Sequence, residues 1–263
     1  MSSLTVTTIQ SNIFWENKEA NLKMFEEKIA STNEQTEVVV LPEMFSTGFV
    51  QEPEQLAESM DGVTFQWMKH ISFTKKIVLT GSIVIKEDEH YFNRLIWMLP
   101  NGQFGFYDKR HLFSYSNEHL HFTPGNKRLI ASVKGWKICL QICYDLRFPV
   151  WARQQIKNNE PEYDLLINVA NWPERRSNAW KTLLQARAIE NQCYVAGVNR
   201  VGVDGNRIPY NGNTSVVDPL GNILYQKENA EDIYTITLKK ENLEQIRDKY
   251  PFLNDADDFK IVD

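Results

Sequence analysis

The chain has 263 residues, with 29 Lys and Arg against 34 Asp and Glu, a formal net charge of −5 at pH 7. At 42% hydrophobic and 24% charged residues it has a globular rather than a disordered composition, and it is long enough for one large core without staples. A net acidic surface excludes nucleic acid as the default partner, and the longest apolar stretches, such as residues 95–100, fall far short of the ~20 that span a bilayer.

Leu4, Val6 and Thr8 alternate with Thr5 and Thr7 and predict a strand. Asn17 is placed to cap a helix on which Leu22, Phe25 and Ile29 recur at helical spacing. Residues 37–41 form a β-branched run stopped by Pro42, the pattern of a strand buried on both faces. Phe65, Met68 and Ile71 predict a second amphipathic helix; strands follow at 77–85 and 91–99, and Asn101-Gly102 marks a tight hairpin into 103–107. Periodicity stops over 109–125, which holds three of the five His and reads as a long loop, a kind of segment that tends to be functional inside a compact domain. Strands are expected at 129–133, 136–142, 163–169, 194–198, 214–217, 223–226 and 233–238. Residues 150–156 read as helical, as do 177–192 with an apolar face of Trp180, Leu183, Leu184 and Ile189; Leu243 and Ile246 sit on a short helix before an acidic tail. Without repeats, low-complexity segments or linkers, the pattern is that of a single α/β domain over 1–263, layered with helices outside sheets.

Cys139, Cys143 and Cys193 are an odd number at no metal-like spacing, and the start Met1-Ser2-Ser3 shows no secretory signal. A reducing cytoplasm is the expected setting, with at least one free thiol.

Three segments place a polar residue directly after a strand, where α/β proteins build their sites. Glu43 follows the apolar run 39–41; buried, its carboxylate would need partners, and the alternative is a surface turn. Lys109 opens the long loop beside Arg110 and His111, a cluster that otherwise reads as a solvated face. Cys143 ends a strand and begins a turn toward a helix, where N-terminal amides can stabilise a thiolate; Cys139 and Cys193 read as small buried hydrophobes. His111, His119 and His121 with Glu118 match no metal-binding motif, Gly202 and Gly205 lack phosphate-loop spacing, and residues 45–48 are not a serine-hydrolase elbow.

Leu41-Pro42-Glu43-Met44, Tyr107-Asp108-Lys109-Arg110-His111-Leu112 and Ile142-Cys143-Tyr144-Asp145-Leu146-Arg147-Phe148-Pro149 resemble, in order, the three signature segments of the nitrilase superfamily, the carbon–nitrogen hydrolases. Asn168-Val169-Ala170-Asn171-Trp172-Pro173 and Ala186-Arg187-Ala188-Ile189-Glu190-Asn191 also match it. Residues 43–49, 117–119 and 194–202 look most like its omega-amidase branch. The resemblance implies a four-layer αββα sandwich and a Glu43–Lys109–Cys143 triad. Cys143 would attack an amide carbon to form a thioester, Glu43 would carry the proton, and Lys109 with the Tyr144 backbone N–H would bind the oxyanion. Glu118 matches a second family glutamate, against the alternative of an exposed loop acid. No metal or cofactor is needed.

The resemblance further implies small dicarboxylate monoamides, such as 2-oxoglutaramate and 2-oxosuccinamate, as substrates. Arg147, Arg175, Arg176 and Arg187 are the candidate carboxylate partners. Arg147 and Arg187 have a structural alternative in pairing with Asp145 or Glu190, and Asn171 and Trp172 are either pocket wall or core. Phe113, Tyr115 and Phe122 could close over a substrate. An N-carbamoyl amide hydrolase or aliphatic amidase with the same triad is the competing activity, and a homodimer through the helix layer, without nucleic-acid or membrane partners, is the expected assembly.

Overall fold

The computed structural model describes residues 2–32 and 35–261; Met1, part of the start read for a secretory signal, lies outside them. In chain order the elements are β1 (Ser3–Gln10), α1 (Lys18–Ala30), β2 (Val38–Val40), α2 (Val63–Lys75), β3 (Val78–Glu87), β4 (His90–Met98), β5 (Phe104–Asp108) and α3 (Glu118–His121). Next come β6 (Ile130–Val133), β7 (Trp136–Ile142), α4 (Pro149–Ala152), β8 (Ile156–Lys157), β9 (Glu160–Pro161), β10 (Leu165–Val169) and α5 (Ser177–Asn191). The chain finishes with β11 (Tyr194–Val198), β12 (Val201–Val203), β13 (Pro209–Val217), β14 (Ile223–Glu228), β15 (Asp232–Lys239) and α6 (Lys240–Lys249).

Among the described residues two large sheets form, one in the order β15-β1-β2-β3-β4-β5 and one in the order β12-β13-β11-β10-β7-β6, with β14 beside β13. Each runs parallel at its centre, β1-β2-β3 in the first and β7-β10-β11 in the second. Alternation along the central strands builds three apolar layers. Val38, Val40, Ile138, Leu140, Ile142, Leu165, Ile167 and Val169 meet between the sheets. Val39 and Leu41 face outward onto Phe25, Phe65 and Met68 of α1 and α2. Leu166 and Val195 face outward onto Trp180 and Leu184 of α5. Helix, sheet, sheet, helix is the αββα sandwich. No helix among the described residues is long and apolar enough to cross a membrane.

Local chemistry explains the elements. The Asn17 side chain accepts the Ala20 N–H and caps α1, and Gly102, at φ 82°, closes the hairpin into β5. Three expectations need correction. The helix expected over 150–156 stops at Ala152, because the Gln154 N–H bonds to Asn191 and its side-chain oxygen accepts the Tyr163 N–H, pulling the chain straight. Ile189 is exposed, so the buried face of α5 is Trp180, Leu184, Arg187, Ala188 and Asn191. The segment 109–125 carries a 3₁₀ turn (Ser114–Ser116) as well as α3. The acidic tail packs on its own chain, where the Gln155 side chain donates to the Phe259 carbonyl.

Gly197 of β11 lets α5 sit close, since a Cβ there would lie 2.5 Å from Leu184 Cδ1 and 2.9 Å from Trp180 Cζ2. Gly197→Ala is expected to cost about 1–3 kcal/mol of stability through overpacking, read as a fall in Tm; an unchanged Tm would show that α5 shifts freely on its sheet.

Candidate active site

Three strand ends, two from one sheet and one from the other, deliver the polar residues. Two residues after Leu41, itself the apolar end of the β2 run, Glu43 is wholly buried. Lys109 follows β5 and is 1% exposed; its N–H donates to the Asn93 carbonyl and its carbonyl accepts the Gly125 N–H. Gly125 is required there, because a Cβ would come within 2.2 Å of the Asp108 carbonyl oxygen. Cys143 follows β7 with a left-handed backbone, φ 44°, at the start of a 3₁₀ turn (Cys143–Arg147). That strained geometry in a non-glycine residue lifts a partly buried thiol off the strand end.

The Glu43 carboxylate is divided between two sets of donors. Oε1 accepts Lys109 Nζ at 3.0 Å and Asn93 Nδ2 at 2.8 Å, and Oε2 accepts the Asn171 N–H at 2.7 Å. The Asn171 side-chain amide also donates to the Glu43 carbonyl at 2.7 Å. Lys109 Nζ reaches Glu118 as well, at 3.0 Å to Oε1 and 2.9 Å to Oε2. Glu118 Oε2 is held in turn by the Phe113 N–H at 2.5 Å. The Cys143 thiol belongs to the same charged cluster as Glu43, Lys109 and Glu118, and its Sγ is 4.0 Å from the Asn171 carbonyl oxygen.

Charge follows geometry. Burial alone would lower the pKa of Lys109, but Glu118 and Glu43 outweigh it and hold the ammonium charged. Burial raises the Glu118 carboxyl, with Lys109 opposing and Glu43 adding to the rise. Burial and then Glu43 push the Cys143 thiol well above its ordinary value, against the pull of Lys109. The surroundings therefore favour the thiol form of Cys143 over the expected thiolate stabilised by turn amides.

A cleft of about 440 Å³ opens beside this cluster, lined by Phe113, Tyr115, Tyr144, Arg147, Arg175 and Arg176. Its lining carries three guanidinium groups and no carboxylate.

The carbon–nitrogen hydrolase family model matches residues 5–248. The omega-amidase YafV of Escherichia coli K12 is 41% identical over 263 residues, 99% of this chain and 100% of that protein. The 2-oxoglutaramate amidase of Bacillus subtilis is 31% identical over 255 residues, covering 95% and 96% of the two chains. The crystal structure of a CN-hydrolase superfamily protein from Xanthomonas campestris, with an arsenic adduct in its active site, is similar at a TM-score of 0.98 and 40% identity over the whole of both chains. The chain belongs to the carbon–nitrogen hydrolase family.

In this carbon–nitrogen hydrolase Glu43, Lys109, Glu118 and Cys143 meet at one place, and neither Glu43 nor Glu118 is the exposed acid of the alternative reading. The substrate-contact candidates divide. Arg147 lies over the Trp172 ring at 4.8 Å, Arg175 over Tyr115 at 5.5 Å and Arg176 over Phe113 at 4.9 Å, all at the cleft. Arg187 is structural, paired with Glu190 at 2.9 Å and donating to the Leu146 carbonyl at 2.6 Å. The Asn171 side-chain amide turns to Glu43, and Trp172 is buried against Trp180. Phe122 packs with Met44, Val50 and Val84, leaving Phe113 and Tyr115, with Tyr144, as the cleft aromatics. The three histidines diverge: His111 bonds to Asp145, His121 is 3.8 Å from Glu54, and His119 is exposed.

Two residues escaped the sequence reading. Asn93 bridges the carboxylates, 2.8 Å from Glu43 and 3.5 Å from Glu118; its signal was an asparagine opening the apolar half of β4. Asp145 was read only as an arginine partner, yet it bonds to Tyr107 and His111 and leaves Arg147 to Trp172.

Lys109→Met would leave Glu43 and Glu118 facing each other without a counter-charge, a loss of ~3–5 kcal/mol at neutral pH. A carboxyl raised in the folded state holds extra protons there, so stability falls as pH rises through that interval. The Tm deficit of the variant should therefore be largest at pH 7 and narrow toward pH 5; a deficit independent of pH would remove Lys109 from the charge balance.

Proposed function

We propose that this protein is a thiol amidohydrolase of the omega-amidase branch, cleaving the ω-amide of small dicarboxylate monoamides such as 2-oxoglutaramate and 2-oxosuccinamate. The observation that carries the reading is a buried carboxylate, Glu43, whose oxygens are held by Lys109, Asn93 and Asn171, the last of these also 4.0 Å from the Cys143 Sγ through its carbonyl.

In this reading the thiol proton passes to Glu43 as sulfur attacks the amide carbon. The tetrahedral oxyanion is met by the Lys109 ammonium and the Tyr144 backbone N–H. The C–N bond breaks as Glu43 returns its proton to the leaving ammonia, leaving a Cys143 thioester. Glu43 then takes a proton from water, the hydroxyl adds to the thioester, and collapse releases the acid while Glu43 reprotonates the sulfur. Glu118 keeps Lys109 charged and aimed throughout.

The guanidinium cleft supports the substrate class. Arg147, Arg175 and Arg176 offer a carboxylate bidentate partners beside Tyr144. Burial and then Arg175 lower the pKa of Arg176, the crowding that an incoming anion relieves. A homodimer through the helix layer is supported by exposed Ile189, which lies against Gly221 in the turn that carries exposed Leu220, and a reducing cytoplasm suits a reaction that runs through a free thiol.

Ammonia release should be seen with 2-oxoglutaramate and succinamate, and be lost in Cys143→Ala with Tm retained. Arg176→Ala should raise KM about tenfold or more for these acids, the scale of a hydrogen bond to a charged group (~1.5–3 kcal/mol), and leave a neutral aliphatic amide unaffected. Turnover confined to N-carbamoyl or neutral amides would overturn the substrate class, and turnover by Cys143→Ala would overturn the mechanism.

A further inference from the structure

Asp145 is wholly buried two residues after Cys143, and its carboxylate gathers four donors. Oδ2 accepts the Tyr107 hydroxyl at 2.7 Å and the Ile142 N–H at 3.1 Å. Oδ1 accepts the His111 N–H at 2.9 Å and faces His111 Nδ1 at 2.8 Å, the nitrogen that carries the hydrogen when its partner is a carboxylate. The donors themselves are fixed. The His111 ring stacks on Phe148 with centroids 3.7 Å apart and planes 5° apart, and Trp151 Nε1 donates to the Tyr107 hydroxyl at 2.9 Å. Burial and then Asp145 hold the Tyr107 phenol well above its ordinary pKa, so it remains a donor.

The connectivity gives this cluster its meaning. Tyr107 and His111 flank Lys109 by two residues on either side, and Ile142 immediately precedes Cys143. Lys109 leaves one sheet and Cys143 leaves the other, and Leu95, Trp97, Leu140 and Ile142 pack between the sheets as apolar contacts without direction. Asn171 ties the second sheet to Glu43, and Asp145 ties the Cys143 turn directionally to the Lys109 segment. A simple turn cap would need only the Ile142 N–H; the other three donors come from the Lys109 segment.

We propose that Asp145 is a positioning residue which, gripped by Tyr107 and His111, sets Cys143 against Glu43 and Lys109. The proposal rests on the thiol reading of the site, and its test can be read without any amide substrate. Alkylation by iodoacetamide reports on Cys143, since Cys139 and Cys193 are buried, with Cys143→Ala as the blank. In Tyr107→Phe and His111→Leu, the alkylation rate and kcat on succinamate should fall about tenfold to a hundredfold, the scale of misplacement by up to an ångström, with KM near wild type and Tm lowered, as the lost hydrogen bond to a buried carboxylate requires. His111→Asn, which puts an amide donor near the place of Nδ1, should recover most of the loss. Asp145→Asn should show the full effect, and adding Tyr107→Phe to it should change nothing more. Rates that stay at wild type while Tm falls, or a His111→Asn variant no better than His111→Leu, would overturn the proposal. Should the wild type be alkylated at Cys143 but hydrolyse no amide, the substrate reading falls and the alkylation series still decides the role of Asp145.

Discussion

A lysine ammonium held between two carboxylates, all three wholly or almost wholly buried, is the interaction around which the strand ends are arranged. Removing those charges from water is expensive, and such a cluster survives only when each is paired and hydrogen-bonded. Lys109 reaches both Glu43 and Glu118, Asn93 links the carboxylates, and backbone N–H groups of Phe113 and Asn171 take further lone pairs. Burial first and then Glu43 raise the Cys143 thiol above its ordinary value, against the pull of Lys109. In the proposed reaction the proton is handed to Glu43 as the sulfur attacks, so the thiolate forms only when an electrophile is present.

The placement of charge sets a direction for a substrate. The carboxylates lie at the inner end, and the three guanidinium groups line the cleft beside it. A carboxylate is repelled from the first and drawn to the second, so under the proposed function a dicarboxylate monoamide enters with its neutral amide foremost. Discrimination between chain lengths would then rest on the span from the Cys143 sulfur to the arginines. The two sheets must hold that span, and at the site two sets of directional bonds join them, Asn171 to Glu43 and Asp145 to Tyr107 and His111, the second of them at the nucleophile turn itself.

Much of the fold was legible because its signals are local. The apolar runs 37–41, stopped by Pro42, and 163–169 marked two central strands, and Asn17 marked the start of α1. Boundaries went wrong where tertiary bonds outweighed periodicity, as at Gln154, which Asn191 pulls out of a helix, and at Ile189, which a helical wheel buries and the fold leaves outside. At the site, residues standing directly after strands were readable: Glu43, Lys109 and Cys143 each follow an apolar run. Asn93 and Asp145 were not, since their partners lie 50 and 38 residues away in the chain, and nothing local distinguishes a bridging asparagine from a surface one. The protonation state of Cys143 was also beyond the sequence, because it depends on burial and on which charges the fold brings near.

The central claim is that the buried cluster keeps Cys143 a thiol whose proton belongs to Glu43. It is tested most directly by ultraviolet titration of the thiolate as the difference between the protein and its Cys143→Ala variant, repeated in a Glu43→Gln background. The account predicts no thiolate signal at neutral pH in the wild-type chain, and its appearance at lower pH once Glu43 is neutral. A Cys143 already ionised at pH 7 with Glu43 in place would contradict it.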